Sequence, residues 1–264
     1  MRYEAESTGQ NLYALDANLR AALRSLMPGE SGRWEATLSA FGGWTGEAVE
    51  VAAVYTDSRG LPVLEAFDRD GEPVNRIRTN PAWETVSREV YERGVVGLNY
   101  AADAAPFTIT FVMGYLISQA DVSLHCPVAM SGAMAYILDR FAPAEVKAAY
   151  LPDLVRTDGH ALTGGTWATE QSGGSDLGAT TTTASPAGDH VLLNGIKWFA
   201  SNPDGGLALA TARPEDAQPG PRGLGLYLVP LRLGDGRPNP MRFRRLKEKL
   251  GTRGIATAEI ELTD

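Results

Sequence analysis

Cysteine and histidine are scarce in this sequence. Its 264 residues include a single cysteine, Cys126, and three histidines, His125, His160 and His190. One cysteine cannot form an internal disulfide or a thiolate zinc site, and the scattered histidines lack further ligands at metal-binding spacing. We therefore expect no metal site, a reducing compartment and, by default, a cytoplasmic location.

Excess positive charge and long apolar runs are absent as well. Lys and Arg number 24 against 32 Asp and Glu, giving a net charge of −8, whereas phosphate binding draws on clustered basic residues. The densest basic segment, Arg242 to Lys249, contains Glu248 and predicts a solvated edge, so nucleic acid is not expected as a partner. No stretch approaches the roughly 20 apolar residues of a membrane helix. The polar start, Met1 to Gln10, resembles neither a secretory signal nor an Arg-rich transit peptide.

The first part of the chain carries helical patterns. Asn80 followed by Pro81 is typical of a helix start, and residues then recur at helical spacing at Trp83, Val86, Val90, Gly94 and Leu98. Pro106 to Ser118 and Pro127 to Leu138 are apolar nearly all round, which predicts core helices. Pro143 is expected to open a further short helix that Pro152 ends.

From about His160 the sequence favours strands, because threonine becomes common and Gly and Pro interrupt shorter apolar runs. Strands are predicted at His190 to Phe199, Gly206 to Arg213 and Gly223 to Leu231, and residues 257–262 alternate as in a sheet with one buried face. The predicted fold class is α+β. An all-helical domain over residues 1–157 is followed by an antiparallel β-barrel or sandwich-like domain over residues 158–264.

The most informative stretch is Thr166 to Asp176, at the start of the strand-rich part. Its glycines permit close backbone approach, and Thr169 and Ser175 offer hydroxyls, so it predicts either a cradle for a phosphate or ring edge, or only a turn. A hydrolase elbow is excluded because Leu177 stands two residues after Ser175. A nucleotide-triphosphate loop is excluded because no Lys follows Gly174.

A second stretch, Asn194 to Asn202, places Trp198 and Phe199 side by side on a predicted strand. Because strand neighbours face opposite ways, one ring is expected in the core, while Ser201 shares the face of Phe199. The aromatic ring and the hydroxyl could flank a flat heterocycle, or the two rings could be a core pair before a turn. Lone carboxylates such as Glu170 and Asp176 are expected to be solvated or capping groups.

Both stretches resemble the signatures of the acyl-CoA dehydrogenase family. The first family signature is Thr-Glu, two variable residues, a small residue and then Gly-Ser-Asp, and Thr169 to Asp176 matches it. The second is Gly-x-Lys, a strand that contains an aromatic residue and then Ser/Thr-Asn, and Gly195 to Asn202 matches it. Tyr150 to Leu154 and Lys249 to Arg253 resemble two further family elements. The AidB-type, alkylation-response branch is the most similar, through Asn11-Leu12-Tyr13, Asn80 to Trp83, Cys126-Pro127-Val128 and the Trp198-Phe199 pair. Trp167 and Ala168 depart from the residues usual in the family.

The resemblance implies FAD as cofactor and a set of contacts for it. The Ala168 backbone and Thr169 would meet the flavin ring, together with Thr166 and Trp167, while Gly174 and Ser175 approach the pyrophosphate or ribityl region. Phe199 matches the ring-stacking aromatic with Ala200 beside it, and Ser201 matches the hydroxyl near the reactive flavin nitrogen.

The resemblance also implies the reaction, which is α,β-dehydrogenation of an acyl-CoA. A carboxylate removes the α-proton while a hydride passes from the β-carbon to the flavin. In the family that carboxylate lies in a C-terminal helical bundle, which we expect beyond Asp264, so no catalytic residue is assigned here. A homo-oligomer, or a complex with a chain that supplies the bundle, is therefore expected. The first alternative is a non-catalytic role, as a flavin-binding remnant or as one subunit of a split enzyme. The second, which the AidB-type branch suggests, is a nucleic-acid-associated protein linked to the DNA alkylation response.

Overall fold

The computed structural model describes residues 8–263, so most of the polar start lies outside the described residues. The chain divides into two compact units. The helical unit comprises the chain up to Leu61 together with Thr79–Ala161 and Thr252–Gly254. The sheet unit comprises Pro62–Arg78, Leu162–Gly251 and the segment from Ile255 onward.

The helical unit contains eight α-helices among the described residues. A π-helical turn, Thr45–Val49, joins the third helix to the fourth without a break. The helices are α1 Leu12–Leu15, α2 Ala17–Leu26, α3 Glu35–Trp44, α4 Glu50–Arg59, α5 Pro81–Glu92, α6 Phe107–Ala120, α7 Val122–Phe141 and α8 Ala144–Val155.

Helix α5 begins as its sequence predicts. The Asn80 side chain accepts a hydrogen bond of 3.0 Å from the Trp83 amide, and Pro81 takes the first helical position, where no amide donor is needed. Trp83, Val86 and Val90 are buried on one face. The predicted start and the buried face are confirmed, but α5 ends at Glu92, so Gly94 and Leu98 lie beyond it.

Helices α6 and α7 each bury one side in the helical unit, but both also expose aromatic side chains, so the prediction that they are core helices holds only in part. Two prolines lie at unexpected places. Pro127 lies inside α7, and Pro152 lies inside α8, which continues to Val155. A proline removes one backbone hydrogen bond and strains the preceding turn, but packing can hold the helix together. Leu154, two residues after Pro152, is fully buried and anchors the last turn of α8.

Seven strands of the sheet unit form one sheet in the order β3-β6-β4-β5-β9-β8, with β7 on β6 and a further contact between β3 and β5. The pairs β3–β6 and β4–β6 are parallel and the other five are antiparallel, so the sheet is mainly antiparallel, as expected, with a mixed part around β6. The strands are β3 Thr163–Trp167, β4 Thr183–Ala187, β5 His190–Ser201, β6 Gly206–Pro214, β7 Gly225–Pro230, β8 Met241–Leu246 and β9 Thr257–Leu262.

A hairpin of two strands, β1 Val63–Phe67 and β2 Pro73–Arg78, interrupts the helical part of the sequence. It belongs to the sheet unit, although the sequence places it within the predicted helical domain. Asn75 holds it there, because its side-chain amide donates to the Met241 carbonyl (3.0 Å) and accepts from the Phe243 amide (2.6 Å). The division predicted after residue 157 stays a prediction.

Strand β9 differs from the expected alternation because both of its faces are largely buried. Ile260 is fully buried, and Glu259 is buried as well. The Glu259 carboxylate is paired with two arginines of the edge strand β8. Arg244 donates to it at 2.7 Å and Arg245 at 2.8 Å. Buried charges persist where they are paired in this way.

Candidate functional site

The two stretches singled out in the sequence lie side by side in the sheet unit. Thr166 on β3 pairs with Ser201 on β5 in antiparallel register. Beyond the end of β3, the Trp198 amide donates a hydrogen bond of 2.8 Å to the Thr169 carbonyl. Residues 166–169 and 198–201 therefore run against each other along their whole length.

Strand β5 carries a bulge at the aromatic pair. Lys197 pairs with Ile260 and Ala200 with Ala258, so Trp198 and Phe199 together oppose one residue of β9. Phe199 has a positive φ of 55°, which is uncommon for a residue with a side chain. The expectation that the two rings face opposite ways is wrong, because the bulge brings their centroids to 4.4 Å.

Two cations from the neighbourhood of β8 lie over this aromatic pair. The Arg245 guanidinium is 4.9 Å from the Trp198 centroid, and the Lys247 ammonium is 4.2 Å from the Phe199 centroid. Cations over aromatic faces attract the ring quadrupole. The pair is thus a half-buried aromatic platform with positive charge beside it, suited to a flat ligand that carries negative charge.

The glycine-rich segment closes on Thr169 as a tight turn. Glu170 and Gly173 exchange backbone hydrogen bonds of 3.0 and 3.4 Å, and Gly173 adopts a φ of 146° that favours glycine. A Cβ added at Gly174 would lie 3.0 Å from the Thr169 hydroxyl, so a side chain at this position would require the Thr169 side chain to shift. Gly174, Ser175 and Thr169 are all exposed, so all three can contact a ligand.

Three other predicted residues are placed differently with respect to solvent. Thr166 is exposed on β3, whereas the side chains of Trp167 (1% exposed) and Ala200 (3%) lie in the core of the sheet unit. Trp167 and Ala200 can therefore support a site or offer backbone atoms to it. Ala168, which is half-buried between Trp167 and Thr169, accepts a hydrogen bond of 3.4 Å from the Thr211 hydroxyl through its carbonyl.

Ser201 begins a short chain of polar contacts that the sequence did not reveal. Its hydroxyl lies 3.1 Å from the Thr257 hydroxyl, which accepts from the Lys249 ammonium at 2.9 Å. Lys249 also donates to the Ile255 carbonyl at 2.7 Å. The only sequence signal for Lys249 is its place at the head of the stretch that resembles a family element.

Glu170 is the residue most misjudged from the sequence. It is neither solvated nor a cap, because it is 3% exposed and binds the fully buried Lys197 ammonium at 2.7 Å. Burial alone would raise the pKa of Glu170, but hydrogen bonds from Lys197, Thr181 and Thr182 outweigh it and lower the pKa to about 2. Glu170 lies in the first of the two recognised stretches and Lys197 in the second. Their positions in two stretches expected to converge were the sequence signal that could have predicted the ion pair.

Comparison with known proteins identifies the group to which this arrangement belongs. Residues 4–158 match the family described as "Adaptive response protein AidB N-terminal domain", and residues 165–264 match "Acyl-CoA dehydrogenase, middle domain". The chain belongs to the acyl-CoA dehydrogenase family, in its AidB-type branch. Acyl-CoA dehydrogenases are FAD-dependent flavoproteins. The resemblance read from the two stretches is confirmed.

Individual acyl-CoA dehydrogenases align with nearly all of this chain. Acyl-CoA dehydrogenase family member 11 of Caenorhabditis elegans is 33% identical over 97% of the chain, which covers 43% of that protein. The putative acyl-CoA dehydrogenase AidB of Escherichia coli is 30% identical over 96% of the chain, which covers 48% of that protein. The chain thus spans about half the length of the curated relatives it matches.

A solved structure of the worm protein in complex with C11-CoA has the same fold. It superposes with a TM-score of 0.86 at 32% identity, over 97% of this chain and 45% of that one. The predicted order of a helical part followed by a sheet domain is confirmed. Within residues 8–263, no helix is both long and apolar enough to cross a membrane.

Proposed function

We propose that this chain forms the flavin-binding part of an FAD-dependent acyl-CoA dehydrogenase that introduces an α,β double bond into an acyl-CoA thioester. The observation that carries the proposal is the direct pairing of residues 166–169 with residues 198–201 beside an exposed glycine turn. This pairing puts hydroxyls, backbone groups and an aromatic platform on neighbouring segments, as a ring-and-phosphate cofactor requires.

The residues fit FAD in kind and placement. The Ala168 backbone and Thr169 are proposed to hold the edge of the flavin ring, with Thr166 and the buried Trp167 next to them. The exposed turn at Gly174 and the exposed Ser175 hydroxyl suit the pyrophosphate or ribityl region. The flavin supplies the hydride acceptor for the β-carbon of the substrate.

The aromatic side of the site would orient the ring. Phe199 offers a face for stacking, and the buried Ala200 keeps the backbone beside it in place. Ser201 would hold a hydrogen bond to the ring, with its hydroxyl set by Thr257 and, through that residue, Lys249. Arg245, held by Glu259, keeps positive charge near the platform.

A carboxylate that removes the α-proton is proposed to come from outside the described residues. Glu170 is the carboxylate nearest in sequence to the proposed ring contacts, but its pKa of about 2 and its buried pairing with Lys197 leave it a poor proton acceptor. We propose that the site is completed by a C-terminal helical bundle, in the same chain or in a second one. If no such bundle joins it, a non-catalytic flavin carrier is the second candidate.

Association with another chain, as a homo-oligomer or with the bundle, is also proposed. The helical unit exposes a cluster of aromatic side chains with Phe107, Phe111, Tyr136 and Phe141 in successive ring contacts, and Phe111 and Phe141 are 72% and 75% exposed. Exposed apolar clusters of this kind mark interaction surfaces. A cytoplasmic location remains our proposal from cysteine usage.

A titration with FAD tests the proposed cofactor site. The purified chain is expected to acquire the visible absorbance of bound flavin, and Phe199→Ala should weaken binding roughly tenfold because it removes the stacking face. Val191→Ala, on the exposed far end of β5, is the matched control and should bind FAD as the wild type does. Equal affinity of the Phe199→Ala and wild-type chains would contradict the site.

A further inference from the structure

The carboxylate of Glu170 is saturated with donors from two other chain segments. One oxygen accepts from the Lys197 ammonium (2.7 Å), the Thr182 amide (3.1 Å) and the Thr182 hydroxyl (2.5 Å). The other accepts from the Thr181 amide (2.7 Å) and hydroxyl (2.6 Å). Residue 170, residues 181–182 and strand β5 are thereby tied together at one point.

Stability alone does not explain this network, because burying two charges costs desolvation free energy. Lys197 is 0% and Glu170 3% exposed, and no other ion pair of the described residues is so deeply buried on both sides. Desolvation of two charges offsets most of their attraction, so apolar side chains of similar volume would hold the fold as well. A buried pair does impose one distance and one direction, which apolar contacts do not.

The position of Lys197 gives that constraint a consequence. Lys197 is the last regularly paired residue of β5 before the bulge, and pairing resumes at Ala200. A bulge that moved by one residue would turn Trp198 and Phe199 to different faces, because side chains alternate along a strand. An anchored Lys197 keeps the bulge at Trp198 and Phe199.

The position of Glu170 links the same anchor to the opposite segment. Glu170 directly follows Thr169, whose carbonyl accepts from the Trp198 amide at 2.8 Å. The ion pair therefore sits one residue beyond this hydrogen bond on both segments. It closes the end of the paired ladder that Thr166 and Ser201 begin.

We propose that the buried Glu170–Lys197 pair is a positioning element, which locks the register of residues 166–169 against residues 198–201 and so sets the flavin-contacting atoms. The expected effect on FAD affinity rests on the proposed function, whereas the effect on strand register does not depend on it. Neither residue contacts the cofactor in this assignment.

The test is the double variant Glu170→Gln/Lys197→Met, which removes both charges while the introduced glutamine keeps an oxygen for Thr181 or Thr182. Three quantities are measured: the urea midpoint, the FAD dissociation constant and the hydrogen exchange rate of the Trp198 amide. We expect a nearly unchanged midpoint, faster exchange at Trp198, and FAD affinity lower by about tenfold, equivalent to about 1.4 kcal/mol. Asp235→Asn/Arg237→Met, which neutralises an exposed pair of the same unit, should change none of the three.

The outcomes separate this proposal from the proposed function. Wild-type affinity for FAD together with wild-type Trp198 exchange in the double variant would overturn the positioning role. If the wild-type chain binds no FAD, the proposed function fails, and the exchange rate at Trp198 alone decides the register lock. If the double variant does not fold, Thr182→Val, which deletes one hydroxyl donor to Glu170, replaces it and should raise Trp198 exchange to a smaller extent.

Discussion

The helical unit and the sheet unit bury different kinds of polar side chain. Among the described residues, no Asp, Glu, Lys or Arg of the helical unit is buried as a whole residue, and its buried polar residues are Thr45, Thr56, Thr110, Ser123 and Ser131. The sheet unit buries three ionisable groups, Glu170, Lys197 and Glu259, each in an ion pair. Charges are costly to bury and rarely raise stability, so their concentration beside the paired motif segments indicates selection for geometry there.

The largest expected loss of stability comes from removing one partner of the buried Glu170–Lys197 pair. Lys197→Met leaves the Glu170 carboxylate buried without its cation, which should lower the free energy of unfolding by about 3–5 kcal/mol. Urea denaturation followed by circular dichroism measures the change. Arg237→Met, which removes an exposed cation from Asp235, should leave the free energy of unfolding almost unchanged. Similar losses in the two variants would remove the contrast between buried and exposed pairs.

The helical unit should instead respond to lost apolar volume. Leu124 on α7 is fully buried, and Leu124→Ala should lower the free energy of unfolding by about 2–5 kcal/mol through lost transfer energy and a cavity. Leu26→Ala, at a position 72% exposed, should change it by no more than about 0.5 kcal/mol. A Leu124→Ala chain as stable as the Leu26→Ala chain would show that the helical core is not what holds this unit.

Acid should remove the contribution of Glu170 to the stability of the sheet unit. The pKa of Glu170 is about 2 in the folded chain against 4.5 as the ordinary value, so its contribution is fully present above about pH 4.5 and is lost as the pH falls toward 2. The difference corresponds to about 3 kcal/mol. Urea midpoints between pH 5 and pH 2.5 should fall more steeply for the wild type than for Glu170→Gln. Parallel curves would mean that Glu170 does not hold its charge at low pH.

A smaller effect is expected at the start of α5. Asn80→Ala removes the cap on the Trp83 amide and the donor to the Gly60 carbonyl, and should lower the free energy of unfolding by about 1–2 kcal/mol. Thermal denaturation compares it with Asn18→Ala, an exposed position inside α2. No difference between the two variants would contradict the cap as a source of stability.

Local patterns in the sequence predicted local structure well. The Asn80-Pro81 start, the core helices and the strands at β5, β6 and β7 follow from periodicity and capping chemistry within a few residues. The β1–β2 hairpin was missed, and its attachment to the sheet unit depends on Asn75 and Met241, residues that lie 166 positions apart. Short strands supported from so far away carry little local signal.

The candidate site was predictable in its members and not in its geometry. Thr169, Ser201 and their neighbours were found from two short stretches, which the structure brings together. The bulge at Phe199 was not foreseen, since nothing in a Trp-Phe sequence indicates a positive φ. The Glu170–Lys197 pair was missed because its partners are 27 residues apart and each looks ordinary on its own.

The central claim is that these residues supply a flavin site but not the group that removes the substrate proton. The most direct test loads the chain with FAD, mixes it with an acyl-CoA without oxygen and follows the absorbance of the flavin. We predict that flavin binds to the chain and stays oxidised with acyl-CoA alone. It should be bleached when a chain carrying the C-terminal bundle of a relative is added. Dithionite, which reduces flavin directly, is the control and should bleach it in every case. Bleaching by acyl-CoA alone at rates typical of enzymes, roughly 1–10³ per second, would contradict the claim and place a catalytic base within these 264 residues.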